Sequence, residues 1–169
     1  MLGFALAAAG QQPAHAPLKL FLNEVEPGGM AAPQYCTLVF ADHHFHSERA
    51  DLKGGHDLNR KVYEGQLSDS DWNALLAIID SKEFRDLKVR RTVPPLVMLD
   101  THPYTISVAR DNVFQNMEFM DSKSLKPFEA QIKPLLKWWK SFRGQHVPES
   151  SAPPDPQCSL DRTHTVFTE

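Results

Sequence analysis

The residues best suited to chemistry lie in one short histidine-rich segment. His44, His46 and Glu48 alternate along the chain, and alternate side chains of a β-strand project from the same face. Two imidazoles and a carboxylate suit Zn²⁺, and three ligands leave one coordination position open. His56, in the following loop, is a candidate fourth ligand. Residues two positions apart lie about 6.5–7 Å apart along a strand, so these side chains would have to lean toward a common point to share a metal ion. The alternative interpretation is that they form the polar face of a solvated hairpin.

No other motif of the chain points to catalysis. The sequence contains no Gly-x-Ser-x-Gly, no phosphate-binding Gly-rich loop, no Cys-x-x-Cys and no His-Glu-x-x-His. Asp69 and Asp71 form a carboxylate pair, but helix capping explains them better. We therefore expect no catalytic residues and no cofactor apart from the zinc considered above.

A second candidate site depends on the register of a predicted hairpin. Apolar and polar residues alternate on both sides of Asp111-Asn112, where a two-residue turn fits. This register places Tyr104 opposite Phe119. Apolar side chains then fall on one side of the sheet and polar side chains on the other.

The polar side of this hairpin is a possible contact surface for a partner. It carries Thr105, Ser107, Asn116 and Glu118. Trp138, on the closing helix, would add to it if exposed, because tryptophan is enriched among the residues that anchor interfaces. An unidentified protein or glycan would fit such a surface, and an idle solvated face is the alternative.

The two cysteines bear on the compartment in which the protein works. Cys36 lies in a strand-like segment and Cys158 in a proline-rich tail. An exported protein could join them in a disulfide that pins the tail to the sheet. Two unpaired thiols are the alternative.

The N-terminus has features of an export signal. An apolar segment from Leu2 to Ala9 is followed by small residues and an Ala-x-Ala sequence ending at Ala16, although no Lys or Arg precedes it. Residues 1–16 are therefore predicted to be a signal peptide that directs the protein to the periplasm or the medium. No apolar stretch approaches the roughly 20 residues that cross a bilayer, so no integral membrane segment is expected in the mature chain.

Composition favours one globular domain without a nucleic-acid partner. The chain has 169 residues, of which 41% are hydrophobic and 23% charged, and a net charge of −3. Such a chain is long enough to bury a core. The weak negative charge argues against a basic face for nucleic acid.

The elements that must position these residues form a domain over residues 17–143, followed by a Pro/Ser-rich tail at 144–169. A lead-in segment at 17–33 precedes strands within 34–41, 45–49 and 61–66. Ser68 can cap the next helix, whose apolar stripe includes Leu75. Residues 96–100 could add an edge strand, and a closing helix at 124–142 is predicted to kink or divide at Pro134.

These elements predict a two-layer α+β fold. Alternating strands and helices that are apolar on one side can bury their apolar surfaces against each other. We expect an antiparallel sheet of about five strands, with two main helices packed on one face and the other face solvated.

Four segments of the chain resemble a group of uncharacterised exported bacterial domains. They are YCTLVFADHHFHSER, KVYEGQLSDSDWNALLAIIDSKEF, PYTISVAR and LKPFEAQIKPLLKWWKSF. The resemblance spans residues 35–142 and includes a Y-x-G-x-L-S entry to a helix and a closing helix with tryptophan. It implies an exported α+β domain and brings no activity with it. The expected function is a non-enzymatic secreted or periplasmic binding or accessory domain, and the alternative is a metal-binding protein or a metal-dependent hydrolase that uses the histidine-rich hairpin.

Overall fold

The computed structural model describes residues 16–27, 32–53, 56–89, 102–145 and 147–159, with the backbone alone at 56 and 57. Seven strands in these ranges form one antiparallel sheet of order β6-β5-β1-β2-β3-β4-β7. The strands are β1 (Leu18–Val25), β2 (Ala32–Phe40), β3 (His44–Lys53), β4 (His56–Gln66), β5 (Tyr104–Arg110), β6 (Val113–Phe119) and β7 (Glu149–Ser150). The α-helices are α1 (Asp69–Ile79), α2 (Lys82–Arg85), α3 (Ser122–Leu125) and α4 (Glu129–Arg143). The predicted α+β class is confirmed, with seven strands where about five were expected.

Strand β1 is the main departure from the expected fold. The segment predicted as a lead-in forms a central strand between β5 and β2. Leu20 and Leu22 join the core beneath the helices, whereas Phe21 joins a second cluster on the opposite face, and all three are buried. A strand covered on both faces lacks the alternation that identifies a half-solvated strand. This is why the sequence pattern did not reveal β1.

Both predicted hairpins are present. In the first, β2 and β3 meet at a turn where His43 has a φ of 69°. In the second, the register is the predicted one, with Tyr104 opposite Phe119 and Asp111 in the turn at a φ of 38°. The left-handed backbone of these residues is what tight hairpin turns require. The predicted edge strand at 96–100 lies outside the described residues.

Helix α1 begins as the sequence predicts. The backbone N–H of Asp71 donates to Oγ of Ser68 at 3.1 Å, which satisfies one of the free donors of the first turn. Just before it, Gly65 lies against the ring of Phe45, and a Cβ at this position would come within 3.0 Å of the ring. The glycine of the Y-x-G-x-L-S sequence therefore has a packing role.

The closing helix divides at a different proline from the one predicted. A 3₁₀ segment, Lys126–Phe128, separates α3 from α4, and Pro127 lies within it. Helix α4 then continues through Pro134, so the predicted division of the helix at this residue is wrong. Pro134 removes a single backbone hydrogen bond, and the flanking Ile132 and Leu135 are fully buried and hold the helix on the core. None of the described helices has the length and apolar character needed to cross a membrane.

The main core lies between the helices and one face of the sheet. Its buried side chains come from α1, α2 and α4 and from strands on both sides of β1. Trp139 anchors α4 to the sheet, because its Nε1 donates to Oγ1 of Thr37 at 2.9 Å. The helices thus cover the face of β2 and β3 that carries Thr37 and Phe45.

The opposite face is covered in part by the C-terminal tail, which corrects the expectation of a solvated face. Strand β7 pairs with β4, and a disulfide joins Cys36 on β2 to Cys158 in a 3₁₀ turn, Pro156–Cys158. A second apolar cluster around this disulfide includes Phe21, Leu38 and Phe40. The disulfide predicted from the sequence is therefore present.

Candidate functional site

Two of the predicted metal ligands, His46 and Glu48, lie on the sheet face beneath the tail, in a group of charged side chains that we call the buried charge network. It consists of His46, Glu48, Arg60 and Glu64, all from β3 and β4. Nε2 of His46 lies 2.8 Å from Oε1 of Glu48, and Nδ1 lies 3.1 Å from Oε1 of Glu64. The His46 side chain is only 5% exposed, so these contacts replace its contacts with water.

The contacts of His46 favour its protonated form. A neutral imidazole has one N–H donor and one acceptor, yet both ring nitrogens face carboxylate oxygens. Only the imidazolium form can donate to both. Burial lowers the pKa of His46, but the hydrogen bonds with Glu48 and Glu64 outweigh it, and the pKa lies above its ordinary value of 6.5.

Glu48 is the centre of this network and also holds the tail. Its carboxylate accepts hydrogen bonds from the guanidinium of Arg60 and from the backbone N–H of Asp155, the latter at 2.5 Å. Burial raises the pKa of Glu48, but the hydrogen bonds from His46, Asp155 and Arg60 outweigh it and lower the pKa below 4.5. Nε2 of Gln34 adds a further contact, donating to the carbonyl oxygen of Cys158 at 3.1 Å.

The structure does not bring the predicted ligand set around a common point. The ring of His44 lies against Phe40, 5.8 Å between centroids, and the side chain of His56 lies outside the described residues. Across the described ranges, no group of three His, Cys, Asp or Glu side chains has the spacing of a metal site. His46 and Glu48 share a face as predicted, but they bind each other and their protein neighbours.

Four of the five residues of the predicted contact surface share one face of the sheet. Thr105 pairs with Glu118 and Ser107 with Asn116, so these four residues lie on the side away from the helices. Ser107 is buried and Asn116 is exposed. Trp138 lies on the other side of the sheet, where its ring stacks on Phe142 and its Nε1 donates to the carbonyl oxygen of Asp71 at 3.2 Å. Trp138 is therefore separate from the surface formed by the other four.

A cleft on the helix side of β2, β3 and β4 was not foreseen from the sequence. It lies where the C-terminal end of α4 meets the sheet and has a volume of about 370 Å³. Aromatic rings and a few polar side chains line it. They include Tyr35, Phe45, Tyr63 and Phe142, with Ser47, Arg49, Arg143 and Gln145. We call it the arginine-tyrosine cleft.

Arg143 forms a fixed wall of this cleft. Its guanidinium lies 3.9 Å from the ring centroid of Tyr35 and 4.5 Å from that of Trp139. It also pairs with the fully buried Glu24 at 2.8 Å and with Glu26 at 3.7 Å. The positive charge of Arg143 is thus matched by two carboxylates within the protein.

Arg49 differs from Arg143 in its exposure and in its partners. It is exposed, and its guanidinium lies 5.9 Å from the ring centroid of Tyr35, its cross-strand neighbour. Its neighbour on β4 is Lys61, which pairs with Glu149 at 3.0 Å. Within the described part of the chain, Arg49 forms no ion pair. Arg49 is therefore the exposed cation among the described residues that line the cleft.

The described residues of the cleft include no activated nucleophile. Ser47 is its only hydroxyl of the serine or threonine type among the described lining residues, and it donates to the carbonyl oxygen of Cys36 while it contacts Oγ1 of Thr37 at 2.9 Å. No histidine and no cysteine is present in the described lining. A nucleophile needs a neighbouring base or a lowered pKa, and the described lining residues place no histidine beside Ser47, whose proton is donated to the carbonyl oxygen of Cys36.

The cleft could not have been found from a motif. Its residues come from three strands and from the C-terminal end of a helix, and in the sequence they extend from Tyr35 to Val147. The one available signal is the alternation of Ser47 and Arg49 with the buried Glu48, which assigns them to the face opposite the histidines.

No protein-family model and no curated protein matches this chain in sequence. The resemblance to exported bacterial domains stays a prediction.

Proposed function

We propose that this protein is a non-enzymatic binding domain that takes its ligand in the arginine-tyrosine cleft and works outside the cytoplasm as a secreted or periplasmic accessory protein. The cleft itself carries the proposal. Its volume of about 370 Å³ lies within the range of small-molecule sites, which are about 300–1,000 Å³, mostly apolar, and furnished with a few polar groups.

The composition of the cleft favours binding over chemistry. Tyr35 and Tyr63 offer flat surfaces with a hydroxyl at the edge, a combination common in recognition sites. Arg49 and Gln145 add hydrogen-bond donors at the same place. Ser47 is engaged by backbone and side-chain partners, so the described residues of the cleft offer contacts for a ligand rather than a nucleophile to cleave it.

The disulfide supports the proposed compartment. Disulfides such as Cys36–Cys158 persist in oxidising environments and are rare in the cytosol. The features of residues 1–16 point to the same compartment. The mass of the naturally produced protein, measured with and without reductant, tests both the cleavage of the signal and the presence of the bond.

A fragment screen by NMR tests the cleft directly. Uniformly ¹⁵N-labelled protein would be titrated with neutral sugars, amino acids, short peptides and aromatic acids. We expect at least one class to shift the amide signals of Tyr35, Arg49, Tyr63 and Gln145 together.

Two variants complete the screen. Tyr63→Ala removes one aromatic wall and is expected to weaken binding at least tenfold. Glu118→Gln, on the opposite face of the sheet, should leave the affinity within twofold. If every compound that binds shifts only signals outside the cleft, or if no class binds at millimolar concentration, the cleft is not a ligand site.

A further inference from the structure

We infer that the ligand of the arginine-tyrosine cleft carries a single carboxylate, bound by Arg49, beside a flat apolar ring that packs on Tyr35 and Tyr63. This inference rests on the proposed function and adds the chemical class of the ligand. It follows from the difference between the two arginines of the cleft.

The distribution of charge around the cleft singles out Arg49. Arg143 faces Glu24 and Glu26, and Lys61 faces Glu149. Arg49 has no acidic partner among the described residues, and its two cross-strand neighbours are Tyr35 and Lys61. An exposed cation that lines a cleft of suitable size and has no counterion among the described residues is complementary to an anionic group.

The geometry of the donor favours a planar anion. A guanidinium presents its N–H groups in a rigid fork that matches the two oxygens of a carboxylate. The neighbouring Tyr35 ring, 5.9 Å from the guanidinium, keeps an aromatic surface next to this fork. A molecule with a carboxylate attached to a flat ring can use both at once.

The neighbouring carboxylates favour a single negative charge. Glu24 and Glu26 pair with Arg143, and Glu149 pairs with Lys61, so three carboxylates face two cations. Among the described residues that line the cleft, Arg49 is the cation that forms no ion pair, and the excess carboxylate disfavours a ligand with more than one negative charge. A phosphate monoester carries between one and two negative charges at neutral pH, so it would add repulsion from these carboxylates that a carboxylate ligand avoids.

Three probes of similar shape test the inference. They are phenylacetate, its neutral amide phenylacetamide, and benzylphosphonate, titrated into ¹⁵N-labelled protein at pH 7. We expect phenylacetate to shift the cleft signals and to bind at least tenfold more tightly than phenylacetamide. Charge-assisted hydrogen bonds are roughly twice as strong as neutral ones. Raising the KCl concentration from 50 to 500 mM should weaken binding of phenylacetate but not of phenylacetamide.

Variants of Arg49 identify the residue responsible. Arg49→Gln is expected to lower the affinity for phenylacetate at least tenfold and to leave the affinity for phenylacetamide within twofold. Arg49→Lys should give an intermediate value, because it keeps the charge and loses the fork. Lys133→Gln removes the same charge from the exposed side of α4 and should change neither affinity. Since Arg49 is exposed, the circular dichroism spectrum should report that each variant is folded.

The outcomes separate this inference from the proposed function. If phenylacetate and phenylacetamide bind the cleft equally, or Arg49→Gln has no effect, the carboxylate assignment is wrong although the cleft remains a ligand site. Tighter binding of benzylphosphonate than of phenylacetate would likewise overturn it. If neither phenylacetate nor phenylacetamide shifts the cleft signals while a sugar or peptide does, the ligand class is wrong and the proposed function stands. If nothing shifts them, both fail.

Discussion

Strands β2, β3 and β4 carry a cluster of charged side chains on each face, and the two clusters are organised differently. Beneath the tail, Glu48 is bound by His46, Arg60 and the backbone of Asp155. On the helix side, Arg49 is exposed and has no ion pair among the described residues. Glu48 and Arg49 are adjacent in sequence, so the difference arises from the face on which each lies.

This comparison separates structural charge from charge available for recognition. A buried ion must be paired and hydrogen-bonded, because its desolvation otherwise costs several kcal/mol. The buried charge network meets this condition and in doing so attaches the tail to the sheet. An exposed cation has no such requirement, and it keeps its donors for other molecules. The histidine-rich segment is the strongest candidate for a metal site in the sequence, but in the structure His46 contacts Glu48 and Glu64.

The largest expected effect comes from releasing the tail. The variant Cys36→Ala/Cys158→Ala removes a bond between residues 122 positions apart. The chain-entropy model predicts a loss of about 5 kcal/mol in the free energy of unfolding. Urea denaturation would measure it, with the wild-type protein in reductant as the matched control. A loss below about 1 kcal/mol would mean that the network and β7 hold the tail without the bond.

The next largest effect comes from unpairing the buried network. Arg60→Gln leaves the carboxylate of Glu48 buried without its guanidinium partner, and such changes cost about 3–5 kcal/mol. We expect the free energy of unfolding to fall by about 3 kcal/mol, the lower end of this range, because His46 and Asp155 still contact Glu48. Denaturation at pH 6 measures it. An unchanged midpoint would show that the network contributes nothing to stability.

The pH dependence of stability gives a third, smaller effect. The pKa of His46 is raised above 6.5, so its contribution is complete below pH 6.5 and is lost as the pH rises through the pKa of the folded state. The pKa of Glu48 is lowered below 4.5, so its contribution is complete above pH 4.5 and is lost as the pH falls through the pKa of the folded state. The network should therefore stabilise the protein most between about pH 4.5 and 6.5.

His46→Gln isolates the histidine part of this dependence. The difference in unfolding free energy between wild type and variant should be largest between about pH 4.5 and 6.5 and should shrink toward pH 9. Denaturation curves at several pH values provide the measurement. A difference that stays constant from pH 5 to 9 would contradict the protonated state of His46.

The smallest effect is expected at Arg49 and completes the comparison. Arg49→Gln makes the same chemical change as Arg60→Gln, one strand away and on the opposite face. Because Arg49 is exposed, its removal should change the free energy of unfolding by less than about 0.5 kcal/mol. If the two variants lose equal stability, the distinction between a structural network and an available cation is wrong.

Several local features were predictable because they depend on residues close in sequence. The hydroxyl of Ser68 caps α1 as expected, and the turn at Asp111 sets the register of β5 and β6.

Two other features could not be decided from local patterns. The pairing of Cys36 with Cys158 was one of two alternatives left open by the sequence. Burial on both faces concealed β1, because Leu20, Phe21 and Leu22 give a continuous apolar run instead of an alternating pattern.

The candidate site depended on long-range contacts. Arg49 and Tyr35 are cross-strand neighbours, but Arg143 reaches them only because α4 packs its C-terminal end beside β2. The partners of His46 and Glu48 include residues from β4 and from the tail. No local pattern encodes such proximity.

The sequence by itself determined the α+β class, the helix cap, the second hairpin and the pair of cysteines available for a disulfide, because capping, alternation and turn chemistry act between near neighbours. Only the tertiary structure decided which charges are enclosed and which remain accessible. The tail covers one face of β3 and the helices leave a cleft on the other. The free energy of a charged side chain depends on what surrounds it in space, and for Glu48 and Arg49 those surroundings are set by distant parts of the chain.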